Sequence, residues 1–279
     1  MTMGIPPRTV STTKTSTQEN NTQHVKITRK KQLFLLFYTT DNSRGDDLMY
    51  FSAKTRRFNI EKASWFDKDI HLVFSIPIQD IAEIITTVSS SINKRGGVGK
   101  VEVKEISIFS HAWYDGPTGS APCTVDPVSE KQMALSGWST INAQWAPTAR
   151  FVMFGCNTAS DDKDVRVFAK DLSECSNFQN VQVWGQTGPA KPSFYPDKRD
   201  SSVLRNMGTG WTVNTTYMVA STPGDGFAAT RGVPLFSPPA LPMKKFINGV
   251  LIETAFQNQF NDHRNNVNWR KKLEFLSSL

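Results

Sequence analysis

A histidine and a cysteine stand at the ends of two apolar runs in this chain. Ile106-Ser107-Ile108-Phe109-Ser110 leads into His111, and Arg150-Phe151-Val152-Met153-Phe154-Gly155 leads into Cys156. An imidazole that can take a proton from a thiol is the smallest set a cysteine nucleophile needs, provided backbone amides face the developing oxyanion. Gly155 permits a tight backbone approach just before the thiol, and the amides of Ala112 and Cys156 are candidates for the oxyanion contacts. Asp115, four residues beyond the histidine, could orient the imidazole, although an aspartate in a Tyr-Asp-Gly-Pro sequence is also a common turn former. Each residue has a plainer reading as well, since a lone cysteine is commonly a small buried hydrophobe and a lone histidine a satisfied polar group. Found together, each followed by small polar or turn residues, they favour a shared site.

They can act together only if the strands that carry them are neighbours. Both runs have the length and composition of buried parallel strands, and functional groups in open α/β sheets gather just past the carboxyl ends of such strands. Gln32 to Thr39 (QLFLLFYT) predicts a central strand, broken by Asp41 to Asp47, and Ile70 to Ile76 predicts a second. Ile78, Ile81, Ile84, Ile85 and Val88 recur at helical spacing up to Arg95-Gly96-Gly97, and Val101 to Ser110 supplies the next strand. That strand–helix–strand order predicts a right-handed crossover and a parallel sheet. Trp113 to Pro127, with three prolines and two glycines, reads as a loop at the carboxyl edge, and Glu130 to Gln144 as one or two short helices.

Asp161-Asp162 are expected near a helix start, with Val165, Phe168, Ala169 and Leu172 as the apolar stripe of that helix. Cys156 would then precede a helix N-terminus, whose dipole favours a thiolate. Val181 to Trp184 predicts another strand, closed by the turn-forming Gly185-Gln186-Thr187-Gly188-Pro189. Trp211 to Ser221 predicts a further strand, antiparallel or at an edge. A Pro/Gly-rich stretch to Pro242 follows, and Trp269 to Leu279 predicts a terminal basic helix.

The chain has 279 residues with 38% hydrophobic content, enough for one main domain. Residues 1–24 are rich in Thr, Ser, Asn and Gln and read as a flexible tail, and 25–279 as an α/β domain with a Pro/Gly-rich C-terminal extension. The fold class that follows is a three-layer α/β/α sandwich around a mostly parallel sheet. The net charge of +7 is spread over Arg29 to Lys31, Lys54 to Arg57, Lys94-Arg95 and Arg270 to Lys272, with no zinc-finger, helix-turn-helix or RNA-binding signature beside it. Charge alone therefore does not argue for nucleic acid as a partner.

Cys123, Cys156 and Cys175 make an odd count without CxxC spacing, which points to reduced thiols and cytoplasmic synthesis rather than a disulfide framework or a zinc site. No signal-peptide core and no membrane-length apolar run is expected, which leaves export by a signal-independent route open. His71 in an apolar strand reads as structural, while His24 and His263 sit in polar surroundings. None makes a metal-binding spacing with the cysteines, so no metal or cofactor is expected. Cys123 beside Pro122 reads as a loop thiol without activating charges.

The block ISIFSHAWYDG, followed 45 positions on from its histidine by the cysteine of RFVMFGCNTAS, resembles the caspase-like cysteine peptidases of clan CD. The resemblance covers about Val101 to Trp184. It implies a caspase-haemoglobinase fold, with His111 as general base and acid and Cys156 as nucleophile. The GCNTA run is similar to the bacterial toxin-processing and CHAT-type branches, which implies an effector or toxin context. One departure stands out: the family commonly has glycine directly after its histidine, and this chain has Ala112. An alanine still offers its N–H but tolerates fewer backbone angles.

The implied substrate is a peptide or protein. Trp113, Trp184, Gln186 and Thr187 are the candidates to contact it; Asp197 and Asp200, in the later loop, are alternatives for substrate selection, though such acidic groups are more often merely solvated. The expected function is a cysteine hydrolase, a peptidase. The alternative is a non-catalytic interaction protein that keeps the sheet and binds a partner through the loops from Trp113 and Gly185. Nothing in the sequence fixes the oligomeric state.

Overall fold

The computed structural model of the chain describes residues 29–40, 47–188, 190–192, 218–220 and 242–255. In chain order the elements begin with β1 (Lys31–Thr39), α1 (Asp47–Glu61), β2 (His71–Ile78), α2 (Ile81–Asn93) and β3 (Val101–Phe109). A small hairpin of β4 (Ala112–Trp113) and β5 (Gly116–Pro117) follows, then α3 (Leu135–Trp138), β6 (Trp145–Met153), α4 (Phe168–Glu174) and a single 3₁₀ turn, Ser176–Phe178. β7 (Gln182–Gln186), β8 (Ala190–Pro192), β9 (Met218–Ala220), β10 (Met243–Ile247) and β11 (Val250–Ala255) complete the described chain.

Seven strands form one sheet in the order β11-β10-β7-β6-β3-β1-β2. The pairs β2–β1, β1–β3, β3–β6 and β6–β7 are parallel, and β10 and β11 add an antiparallel hairpin at one edge. The expected three-layer α/β/α architecture with a mostly parallel sheet is therefore the observed one. Strand order reverses beside β1, because the chain runs outward from β1 to β2 and then crosses back to β3. That reversal puts the ends of β1, β3 and β6 at the place where such sheets open a crevice.

Alternation along the strands sorts the side chains onto two faces. Phe34 and Leu36 of β1, Phe109, Val152, Phe154, Trp184 and Met243 pack with Met49, Ala53 and Ile60 of α1. Leu33, Leu35, Phe37, Ile106, Ile108, Phe151, Met153 and Val183 pack on the other face against α2, Trp138 of α3, and Phe168, Ala169 and Leu172 of α4. Each fully buried Phe or Leu in these layers contributes on the order of 1.5–3 kcal/mol relative to exposure.

α2 starts where Asp80 caps it: its carboxylate accepts from the Ala82 amide at 2.8 Å and the Glu83 amide at 3.3 Å. The other oxygen accepts from the Thr124 hydroxyl at 2.7 Å, fastening the 113–127 loop to the helix. The α1 face carries a buried ionic cluster. Glu105 of β3 takes a bidentate pair from Arg56 of α1 at 2.8 and 2.6 Å, a bond from Arg150 of β6 at 2.6 Å and one from the Ser107 hydroxyl at 2.6 Å. The Arg56 and Glu105 side chains have no solvent exposure.

Several expectations need correction. Asp161-Asp162 do not start a helix, because α4 begins only at Phe168, and Val165 lies outside it. Gly185 and Gln186 are not in a turn; they extend β7, held there by pairing with Lys244 and Met243 of β10. Residues 130–144 form one short helix, α3, within the expected one or two. The 113–127 loop contains the β4–β5 hairpin. α1 and the β10–β11 hairpin were not foreseen at all. Of the expected strand Trp211 to Ser221, only Met218–Ala220 is described, paired antiparallel with β8. The expected tail 1–24, the Pro/Gly-rich stretch before Pro242 and the helix Trp269 to Leu279 lie outside the described residues, as do His24, Asp197, Asp200 and His263. Among the described residues no helix is long and apolar enough to cross a membrane.

Candidate active site

The two reactive side chains share one register. β3 and β6 pair in parallel with Ile106 opposite Phe151, Ser107 opposite Val152 and Ile108 opposite Met153, a constant offset of 45 residues. His111 and Cys156 are also 45 residues apart. The ladder extends past the named strands, since the Phe154 amide donates to the Ile108 carbonyl at 3.0 Å. The two residues therefore leave the sheet at the same height, on adjacent strands, at the carboxyl edge.

Face parity agrees with register. Glu105 and Phe109 project toward α1, as do Val152 and Phe154, and Phe109 and Phe154 stack with ring centroids 4.6 Å apart. His111 and Cys156 follow Phe109 and Phe154 by two residues each, past the ends of their strands. Cys156 is half-buried and packs against the α1-side cluster. His111 is exposed.

Contact between the strand ends depends on Gly155. A Cβ built there would lie 2.3 Å from the Ala112 Cβ and 2.9 Å from the Ser110 carbonyl oxygen, so the residue before the thiol touches those flanking the histidine. Only a residue without a side chain fits. The histidine backbone is fixed from the other side: the Thr118 amide donates to the His111 carbonyl at 2.8 Å, closing the β4–β5 hairpin. Gly116 in that hairpin has φ +108°, and a Cβ there would fall 2.6 Å from the Phe168 ring, so the hairpin sits directly on the first residue of α4.

The chain after the thiol turns sharply. Asn157 adopts φ +54°, a left-handed conformation that asparagine tolerates better than most residues. Its amide donates to the Gly188 carbonyl at 3.0 Å, and the Ala159 amide to the Gln186 carbonyl at 2.8 Å. The Thr158 hydroxyl accepts from the Gln186 amide at 3.1 Å, while its carbonyl accepts from the Ala169 amide at 2.8 Å. This loop is thus stitched to the end of β7. It does not run into a helix N-terminus: α4 starts twelve residues after Cys156 and is only seven residues long, so the expected helix-dipole support for a thiolate is absent.

The remaining candidates fall in different surroundings. Ala112 is buried against Gly155. Asp115 occupies the β4–β5 turn and makes no hydrogen bond to His111 among the described residues. Trp113 is 53% exposed and meets Tyr114 edge-on at 4.7 Å, leaving a large apolar surface beside the histidine. Trp184 is 4% exposed, part of the α1-side core, with the Lys245 ammonium 5.2 Å from its ring centroid. Thr187 is buried and donates its hydroxyl to the Pro242 carbonyl at 2.7 Å. Gln186 is fully buried, and neither its Nε2 nor its Oε1 has a hydrogen-bond partner among the described residues.

The other two thiols differ from Cys156. Cys123 is buried, with its sulfur 3.6 Å from the Val125 carbonyl. Cys175 lies 3.6 Å from the Asp171 carbonyl, and burial, reinforced by the Asp171 carboxylate, pushes its thiol up from the ordinary value. His71, on β2, is caged by Phe34, Trp65 and Phe66 and accepts the Asp67 amide on Nδ1 at 2.9 Å. Among the described residues no group of three His, Cys, Asp or Glu side chains is placed to hold a metal ion.

No protein-family model matches the chain, and no curated protein sequence does either. Among solved structures, a secreted C11 cysteine protease from Bacteroides thetaiotaomicron, in complex with an irreversible peptide inhibitor, aligns with a TM-score of 0.38 at 9% sequence identity. The match covers 58% of this chain and 50% of that one, so this chain spans about half the length of the protein it matches.

Proposed function

We propose that the chain is a cysteine hydrolase acting on peptide bonds, with Cys156 as nucleophile and His111 as its acid and base. The observation that carries the reading is the shared 45-residue offset. The β3–β6 register and the His111–Cys156 spacing are the same number, which puts an imidazole and a thiol on adjacent strand ends. A histidine after one strand and a cysteine after its neighbour is also what the resemblance to clan CD peptidases implies.

In the proposed reaction His111 accepts the thiol proton and the Cys156 sulfur attacks the peptide carbonyl carbon, forming a C–S bond. Main-chain amides, with those of Ala112 and Cys156 as candidates, stabilise the oxyanion. The tetrahedral species collapses as the C–N bond breaks and the imidazolium gives its proton to the departing amine. Water, deprotonated by His111, then attacks the thioester, releasing the carboxylate and restoring the thiol. No orienting carboxylate enters this scheme. The exposed imidazole is free to turn toward the thiol when substrate arrives, as catalytic hydrogen bonds commonly tighten in the substrate complex.

The test compares wild type, Cys156→Ala and His111→Ala on a library of fluorogenic peptides. Cys156→Ala is expected to abolish turnover, and His111→Ala to lower it by about 10²–10⁴-fold, the range of a lost acid–base group. Turnover that survives Cys156→Ala excludes this thiol as nucleophile. Binding of peptide without any Cys156-dependent turnover favours the non-catalytic interaction protein.

A further inference from the structure

We infer that Gln186 selects the substrate: its carboxamide receives a carboxamide side chain, glutamine or asparagine, from the residue on the acyl side of the scissile bond. The inference rests on Cys156 being the nucleophile and adds the chemistry of the group held beside it.

Position comes from register. Val152 of β6 pairs with Trp184 of β7, and Met243 of β10 pairs with Gln186. Val152, Trp184 and Met243 all belong to the α1-side layer, so Gln186, two residues beyond Trp184, projects to that face as well. The β6–β7 pairing ends at Val152 and Trp184, and Gln186 is bonded instead to Thr158 and Ala159, two and three residues beyond Cys156. The Asn157-to-Gly188 bond shows that the two chains remain together at the next layer up.

Chemistry comes from what the amide lacks. Gln186 has no solvent exposure, yet its donor and acceptor are both unpartnered among the described residues. Its backbone is fully engaged, through the Thr158 hydroxyl and the Ala159 amide, so the side chain is held in place while its polar end is left unmatched. Leaving buried polar groups unpaired is destabilising, and a leucine of similar size would avoid that cost. A ligand that matches the group must both donate to Oε1 and accept from Nε2.

A carboxamide does both at once. A carboxylate would leave Oε1 without a donor, and an ammonium would leave Nε2 without an acceptor. Either would also bring in a net charge that the neutral amide cannot offset, and the nearby cations Lys244 and Lys245 are already paired with Asp161 and Glu253.

The test measures binding and cleavage side by side, on peptides that differ only in the acyl-side residue: glutamine, asparagine, glutamate, lysine or leucine. With Cys156→Ala protein, the glutamine or asparagine peptide is expected to bind at least about tenfold more tightly than the others, as sites built to hydrogen-bond a substrate reject analogues that cannot. Adding Gln186→Leu is expected to erase that margin while raising the thermal midpoint. Adding Gln186→Glu, which keeps the shape and removes the donor, is expected to shift preference toward lysine.

Equal affinity across the series, or a margin that survives both substitutions, overturns the inference. Cys156-dependent cleavage of all five peptides at one rate also overturns it and leaves the hydrolase reading standing. Selective binding of the glutamine peptide with no Cys156-dependent cleavage does the reverse: it supports the Gln186 site and removes the hydrolase.

Discussion

One missing methyl group decides whether the two strand ends can meet. A Cβ on Gly155 would overlap the Ala112 Cβ, and neither the β3 nor the β6 backbone can retreat without losing the ladder that joins Phe154 to Ile108. Gly155→Ala is therefore expected to destabilise the fold by about 1–3 kcal/mol, the usual cost of overpacking, and to lower any Cys156-dependent activity. Pairing it with Ala112→Gly removes the worst overlap, so the double variant should regain part of the lost thermal stability. No recovery would mean that the Ser110 carbonyl, not the alanine, sets the limit. The same contact explains why Ala112 stands where a glycine was expected: its methyl fills the space that Gly155 leaves. At this scale the thiols also separate. Cys175 and Cys156 are both half-buried, but burial and Asp171 push the Cys175 thiol up from its ordinary value. A brief alkylation at neutral pH followed by peptide mapping should find Cys156 modified well before Cys175. Faster labelling of Cys175 would contradict that assignment.

Helix α1 shows how an element can escape its own sequence. Its inward positions include Arg56 alongside Met49, Ala53 and Ile60, so the apolar stripe that marks a helix is interrupted by a charge. The interruption makes sense only beside β3, where Glu105 waits for it. Burial pushes the Glu105 carboxyl up, but the Arg150 and Arg56 charges, with hydrogen bonds from Arg56 and Ser107, outweigh it and hold the group at about 2. Glu105→Gln would strand two guanidinium groups against the sheet, at a cost of about 3–5 kcal/mol by analogy with broken buried pairs. Denaturant titration of that variant checks the figure, and a loss under about 1 kcal/mol would show that the cluster relaxes freely. α2, by contrast, was legible from the helical spacing of Ile81, Ile84, Ile85 and Val88, although Ile78, counted with them, ends β2, and the Asp80 cap was not read. The β10–β11 hairpin was not, since its alternating charges and apolar residues gain meaning only from the edge of β7.

For the whole molecule, these groups set the pH dependence of stability. Glu105 has a folded value of about 2 against an ordinary 4.5, so its contribution is complete above the ordinary value and is lost as pH falls from there toward 2. At about 1.4 kcal/mol per unit this amounts to about 3 kcal/mol. His71 acts at milder pH: burial, aided by Lys104 and opposed by Asp67, pulls it below the ordinary 6.5. A lowered folded value means stability is complete above 6.5 and declines as pH falls below it. Thermal melts are thus expected to show a shallow decline beginning near pH 6.5 and a steeper one below about 4.5. His71→Gln should flatten the first without touching the second. A flat profile from neutral pH down to about 3 would contradict both assignments.

The sequence by itself determined the parallel strands, the helix between β2 and β3, and that a histidine and a cysteine follow two of those strands, because buried strands are continuous apolar runs and a strand end is where such a run stops. It also contained the number 45, though nothing in one dimension said that this spacing equals a pairing register. Tertiary structure decided the rest: that β3 and β6 are neighbours, that Gly155 has to lack a side chain, that no helix begins directly behind Cys156, and that Gln186 is a strand residue whose amide is unmatched among the described residues. Each of these depends on which chain lies 5 Å to the side in the sheet, about the spacing between paired strands. That lateral neighbour is chosen by the packing of both faces at once, which no local pattern records.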